Sequence, residues 1–289
     1  MTFSIIGHSP AEPGSGSAAW GVAVASKFLA VGNAVPAAVA GVGAVATQAD
    51  ANVAWKGIGL SLLDEGATAS VAVQRMIEED DKRDHRQLGM VDSDGGAATY
   101  TGTACLDWAG GVAEDGPDGG VAIQGNILAG PHVVEEMKRA WDDTAGEPLA
   151  RRLLAALAAG DGAGGDRRGR QSAALLVVSD SAGYAGLDDI AADLRVDDHP
   201  DPVAELGRLL DLNDFYLTAS TDDEKVPVTP ELAAELADLA RAAGHPDLMA
   251  WVGTENYEMR VAEDGSWIDR RVLALLRQHS LRGEAGGTE

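Results

Sequence analysis

The chain has 289 residues, 45% of them hydrophobic but only 4% aromatic, so alanine, valine, leucine and isoleucine must fill its core. It carries 46 acidic against 22 basic side chains, a net charge of −24, which argues against nucleic acid or an anionic membrane as partner. No apolar run reaches the ~18 residues that a membrane-spanning helix needs. No secretory leader pattern opens the chain, and a cytoplasmic location is expected. The single cysteine, Cys105, excludes an internal disulfide and a Cys-based zinc site.

The acids are scattered over turns and helix faces, and most of the cations are arginine. The pattern resembles that of proteins from salt-loving archaea, where salt screens the self-repulsion. The acidity reads as adaptation to solvent and not as the mark of a partner.

In chain order, residues 2–6 alternate as a strand, with Phe3 and Ile5 on one face and Thr2, Ser4 and Ile6 on the other. Met1 is followed by a small residue, so trimming would leave Thr2 as the new terminus. A terminal threonine carries a hydroxyl nucleophile and a free amine on one residue. The unperturbed α-amine titrates near ~7.7–8.0, close to where a general base works best.

A glycine, serine and proline turn region follows, and Trp20–Ser26 forms the second strand of a hairpin pair. Residues 41–48 give a third strand ending near Gln48 and Asp50. Residues 52–65 and 68–79 have helical spacing, with Thr68 as N-cap. Ser93-Asp94-Gly95-Gly96 between Gln87–Asp92 and Ala97–Gly102 signals a hairpin. Val112 and Val121–Gln124 are further strand pieces. Pro131–Asp142 and Pro148–Ala159 read as helices with proline in the first turn. Ala173–Ser179 and Ile190–Val196 read as strands, and Val203–Leu217 as a helix.

Residues 218–229, with Pro227, read as a linker before a second unit, 230–282, of three helices. A disordered tail, 283–289, closes the chain. The first domain is thus 1–217. Its strands group in hairpins around helix pairs, which fits an α+β fold of two antiparallel sheets packed face to face with helices outside, four layers in all.

Gly41 to Ala46 matches a dinucleotide fingerprint in letters, but its glycines open a strand where the fingerprint needs a helix. Gly160 to Arg170 lacks the Gly-Lys-Ser/Thr of a phosphate loop. No HExxH motif occurs, and the six scattered histidines suggest no metal site. Neither metal nor cofactor is expected.

Four places carry the candidate chemistry. Ser26 and Lys27 end the second strand beside the end of the first. Lys27 either lowers the pKa of the Thr2 amine or is a surface lysine. Gly125 and Asn126 end a strand, and their N–H groups either hold an oxyanion or make a turn. Asp166, Arg168, Arg170 and Ser172 lie in an arginine-rich loop that suits a carboxylate or neutralises nearby acids. Asp197 to Pro202 is explained as a rigid helix entry.

The segments TFSII, WGVAVASKFLAVG, GVGAVATQA, AIQGNILAGP, GGDRRGRQSAALLVV and DLRVDDHPDPV together resemble the family catalogued as domain of unknown function 1028, over about residues 1–215. The resemblance implies the N-terminal nucleophile (Ntn) hydrolase superfamily, an αββα sandwich and Thr2 as nucleophile. Ser26 and Lys27 fall where that superfamily's second strand delivers supporting polar residues, and Gly125, Asn126 and Asp166 to Ser172 fall in site-like loops; Gln48 is counted with the substrate-binding residues. Residues 230–282, with AWVGTENYEMR and WIDRRVLALLR, resemble the small peptidoglycan-binding-type domain of some members.

The expected activity is hydrolysis of a small, carboxylate-bearing amide through an acyl-enzyme. The alternative is a non-catalytic protein that kept the fold to bind a ligand or partner. Superfamily relatives often assemble, so a homodimer is expected.

Overall fold

The computed structural model describes residues 2–116 and 119–285, and side chains up to residue 279. The strands and helices are β1 (Thr2–Ser9), β2 (Ala19–Ser26), α1 (Val31–Ala34), β3 (Pro36–Val39), β4 (Gly43–Ala49), α2 (Trp55–Asp64), α3 (Ala69–Glu78), β5 (Arg86–Asp92), β6 (Ala97–Thr101), β7 (Gly110–Glu114), β8 (Val121–Asn126), α4 (His132–Asp143), α5 (Leu149–Gly162), β9 (Ser172–Ser179), β10 (Ile190–Val196), α6 (Pro202–Leu217), β11 (Lys225–Pro227), α7 (Pro230–Ala242), α8 (Leu248–Glu255), β12 (Trp267–Asp269) and α9 (Arg270–Ala285).

The fold is mixed α+β with antiparallel sheets. One sheet has six strands in the order β10-β9-β2-β1-β8-β7, and another has four in the order β3-β4-β5-β6. Every ladder in them is antiparallel. Strand periodicity lets one strand serve two cores. Phe3 and Ile5 of β1 pack with Met137 and Trp141 of α4, Leu153 and Leu157 of α5, and Leu206 and Leu210 of α6. On the opposite side of β1, Ile6 packs with Val22, Val24, Ala44, Ala46 and Val91, which joins the two sheets. The far face of the four-stranded sheet, through Val45, Leu88 and Met90, packs against Trp55 and Leu63 of α2 and Val73 and Met76 of α3. Small residues dominate the layer between the sheets, as the low aromatic content requires.

Local signals explain the element ends. The Thr68 hydroxyl accepts a hydrogen bond from Val71 N–H at 3.4 Å and caps α3. Asp92 closes the β5–β6 turn by accepting from the N–H groups of Asp94 and Gly96, and it also receives Ala69 N–H at the start of α3.

The chain divides into two compact units, Met1–Leu210 and Asp211–Glu289, and the division falls inside α6. The second unit has its own core of Phe215, Leu236, Trp251, Val252, Tyr257, Ile268, Val272 and Leu276, under α7, α8, α9 and the small β11–β12 sheet. Residues 218–229 are not a spacer. Ser220 is buried and donates to Asp269 Oδ2 at 2.6 Å, and β11 pairs with β12. Of the expected tail 283–289, residues 283–285 continue α9 and 286–289 lie outside the described residues. Among the described residues no helix is long and apolar enough to cross a membrane.

Candidate active site

Four adjacent strands of the large sheet end on one polar rung. Thr2 on β1 is the cross-strand partner of Asn126 on β8, and Ser26 on β2 is the partner of Ser172 on β9. The Phe3–Ala25 pairing brings Thr2 beside Ser26. The two hydroxyl oxygens, Thr2 Oγ1 and Ser26 Oγ, are 3.1 Å apart. All four residues are buried, Thr2 at 6% exposure. The rung thus replaces apolar filling with four groups that each need a partner.

Behind the rung, between the sheets, lies a network of buried amides. Ser4 donates to Gln48 Oε1 at 2.8 Å and receives Gln124 Nε2 at 2.5 Å. Gln48 Nε2 reaches Gln87 Oε1 at 2.8 Å and the Thr2 carbonyl at 3.2 Å. Gln87 in turn donates to Gly125 O at 2.7 Å and Thr101 Oγ1 at 2.9 Å, and its Oε1 accepts Asn126 Nδ2 at 2.9 Å. Gln124 Oε1 accepts Thr99 Oγ1 at 3.1 Å. Gly89 on β5 makes room for this network, because a Cβ there would sit 2.1 Å from Gln124 Oε1. The network clamps the backbone at Thr2 and the side chain of Asn126, and so fixes one end of the rung.

Asp166 holds the outer edge. Its carboxylate is almost fully buried, accepts Lys27 N–H at 2.7 Å and Arg168 N–H at 2.8 Å, and pairs with the Arg168 guanidinium at 3.3 Å. Ser172 Oγ donates to Phe28 O at 2.5 Å and accepts Val31 N–H at 3.1 Å, which pins the loop after β2.

Several sequence-level roles therefore change. Lys27 meets Asp166 through its backbone, and its side chain is exposed to solvent, which screens a cation's pull on a neighbouring amine. Gly125 stands inside the ladder opposite Phe3 and Gly110, and a Cβ on it would strike Leu128 at 2.4 Å. Packing accounts for that glycine. Gln48 and Ser172 are structural supports of the rung, and Arg170 is paired with Asp161 at 2.8 Å.

A cavity of about 420 Å³ opens beside the rung. Asn126, the partner of Thr2, stands in its wall with Ala49, Asp50, His85, Ala104, Cys105, Leu106 and Ile127. Neither Arg168 nor Arg170 is among these residues. Ala49 (φ 68°) and Ile127 (φ 49°) hold left-handed backbone, an uncommon state for a side-chain-bearing residue and a costly one for a β-branched one. Both follow directly on a residue of the amide network. The Cys105 thiol donates to Arg86 O at 3.3 Å, and burial pushes its pKa up, so it stays protonated and weakly nucleophilic near neutral pH.

Sequence reasoning passed over most of this wall. The cavity draws its residues from four separate segments of the chain, and the local signal was the recurrence of glutamine at inward positions, Gln48, Gln87 and Gln124. Among the described residues no cluster of three or more His, Cys, Asp or Glu is placed to hold a metal ion.

Comparison with known proteins bears on the whole first unit. A family model described as "Family of unknown function (DUF1028)" matches residues 2–206. A second model, described as "Putative peptidoglycan binding domain", matches residues 233–276. The crystal structure of protein SPO2555 from Silicibacter pomeroyi, described under the first family model, is similar at 31% identity and a TM-score of 0.64, over 76% of this chain and 90% of that one. No curated protein matches the chain.

Proposed function

The chain belongs to the family of unknown function DUF1028, and from that premise we propose that it is an amidohydrolase of the N-terminal nucleophile kind, acting on a small amide through Thr2. The observation that carries the reading is the Thr2 hydroxyl, 3.1 Å from Ser26 Oγ, on a strand end whose partner Asn126 walls a substrate-sized cavity. The paired sheets, with α4 and α5 packed on one and α2 and α3 on the other, support assignment to the αββα sandwich of that superfamily.

Removal of Met1 would free the Thr2 amine. The amine takes the hydroxyl proton, directly or through one water, as Oγ1 attacks the amide carbon. The oxyanion is met by the Asn126 carboxamide, which Gln87 holds in place. The protonated amine then gives its proton to the leaving nitrogen as the C–N bond breaks, leaving an ester on Thr2. Water attacks that ester, the amine again carries the proton, and the carboxylic acid leaves with Oγ1 restored as a hydroxyl.

Ser26 keeps Oγ1 in place, and the buried glutamines keep the strand end rigid. The surplus of carboxylates on the chain fits a salt-rich cytoplasm as its working medium. The match of residues 233–276 to a peptidoglycan binding model supports a ligand-holding role for the second unit.

The test is mass spectrometry of the purified chain before and after treatment with an electrophilic β-lactone. Thr2 is expected at the terminus, with one adduct on the native chain and none on Thr2→Ala. An intact Met1 would favour the non-catalytic binding protein, since it blocks the base. An adduct that persists in Thr2→Ala would remove Thr2 from the chemistry.

A further inference from the structure

The cavity walled by Asn126, the cross-strand partner of Thr2, also bears on the charge of what enters it. Asp50 stands in its wall, two residues beyond Gln48, and its carboxylate is 63% exposed. Its partner, Arg86, is only 11% exposed and is shared. Arg86 Nη1 lies 3.2 Å from Asp50 Oδ2, while Arg86 Nε lies 3.0 Å from Asp80 Oδ2. Arg86 Nη1 also donates to the Asp50 carbonyl at 2.5 Å. One guanidinium between two carboxylates leaves the group one charge negative. The guanidinium is shielded from solvent and the Asp50 carboxylate is not.

Two arginines of the arginine-rich loop are engaged elsewhere, Arg168 with Asp166 and Arg170 with Asp161. The rest of the wall combines the apolar Ala49, Ala104, Leu106 and Ile127 with Cys105, His85 and Asn126. The net charge of −24 adds a field of the same sign.

We infer that the substrate is a small amide with an apolar body and a protonated amine, and that Asp50 receives the ammonium. The inference rests on the reading of Thr2 as nucleophile for the word substrate. The site itself is defined by the cavity wall. It also replaces the carboxylate-bearing amide that the arginine-rich loop suggested. A cation here completes the shared pair by giving Asp50 a counter-ion of its own, and an anion would meet an exposed carboxylate whose guanidinium partner is already shared with Asp80. The volume of about 420 Å³ suits a molecule the size of a single amino-acid amide.

Binding and turnover separate the two ideas. Calorimetry on the full-length Thr2→Ala chain would compare three primary amides of similar size: leucinamide, which is cationic, 4-methylpentanamide, which lacks the amine, and glutaramate, which is anionic. Leucinamide is expected to bind about tenfold more tightly than 4-methylpentanamide, with glutaramate weakest. Adding Asp50→Asn should bring the first ratio close to one, and Asp50→Glu should restore it. Asn keeps the backbone carbonyl that Arg86 holds, and a thermal melt reports whether the fold survives; the order of the three amides on the Thr2→Ala chain decides the matter if it does not.

Equal or tighter binding of glutaramate, a ratio indifferent to Asp50→Asn, or no binding of leucinamide would overturn the inference. Ammonia release from leucinamide by the native chain is the separate reading. Asp50-dependent binding without Thr2-dependent release would sink the nucleophile and leave the cation site standing.

Discussion

Thr2 Oγ1 and Ser26 Oγ are 3.1 Å apart at the buried ends of neighbouring antiparallel strands. Each hydroxyl can donate or accept, so the pair has no charge to defend and can reorient a proton without moving a heavy atom. If Thr2 attacks, Ser26 is a positioning residue. Ser26→Ala removes the neutral hydrogen bond to Thr2, a bond with a net worth of ~1 kcal/mol. The expected result is about a fivefold slower β-lactone adduct at Thr2 and little change in the adduct's final yield. Time-resolved intact mass measures both, and an unchanged rate would reduce Ser26 to a packing residue.

The amide network makes a sharper demand on stability. Gln87 alone accepts from Gln48 and Asn126 and donates to Gly125 and Thr101. Gln87→Ala leaves several of these groups buried without a partner, and each such group costs ~1–3 kcal/mol. A loss of about 3 kcal/mol in the unfolding free energy of the first unit is expected from urea titration. Thr99→Val removes a single hydroxyl from the edge of the same network and should cost about 1 kcal/mol.

These residues show where sequence reading succeeds and where it stops. The alternation of Phe3 and Ile5 against Thr2, Ser4 and Ile6 is a local signal, and both faces of β1 were legible from it. The Ser-Asp-Gly-Gly turn and the Thr68 cap are also local, and the structure has both. β3 (Pro36–Val39) was missed because Pro and Ala hide a short edge strand whose pairing with β4 is set by tertiary contact.

Asp166 illustrates the harder case. Its loop reads as a cluster of arginines, yet the buried carboxylate is what organises it, through a backbone N–H that lies 139 residues away in the chain. The cavity wall, from Ala49 to Ile127, is likewise assembled from loops that register alone brings together.

His8 sets a pH limit on the first unit. It is buried on β1, its ring 5.1 Å from Trp20, and Nδ1 has no partner. Burial pushes its pKa below the usual 6.5, against the opposing pull of Asp92 and Asp94. The native state therefore holds a neutral ring and the unfolded chain takes up the proton more readily. Stability from this group is complete above pH ~6.5 and is lost as pH falls from there towards the folded pKa. Urea-unfolding free energies are expected to drop between pH 7 and pH 5, with a slope from this one group no steeper than ~1.4 kcal/mol per pH unit. His8→Gln should lie below the native chain at pH 7 and lack that part of the slope. A slope identical in the two chains would assign the acid sensitivity elsewhere.

Asp269 does for the second unit what the glutamines do for the first. Its Oδ2 accepts Ser220 Oγ at 2.6 Å and Arg260 Nη1 at 3.1 Å, while Oδ1 accepts Arg271 N–H at 2.7 Å at the start of α9. Arg260 also donates to the carbonyls of Phe215 and Asp214, at 2.8 and 2.6 Å. One buried ion pair thus ties the segment after α6 to the start of the last helix within the second unit. Burial alone would raise the Asp269 pKa, but the Ser220 hydroxyl, the Arg271 N–H and the Arg260 guanidinium hold it below 3.8. Its contribution is complete above the unfolded carboxylate value and is lost as pH falls through the lower folded one. Asp269→Asn leaves the buried Arg260 with the more exposed Glu224, 3.1 Å from its Nη1, as its remaining carboxylate, at a cost of ~1–3 kcal/mol. The expected record is a calorimetric scan in which the transition of the second unit moves to lower temperature while that of the first keeps its place. A scan in which both transitions shift together would mean that the two units unfold as one, and the division of the chain at Leu210 would have no thermodynamic counterpart.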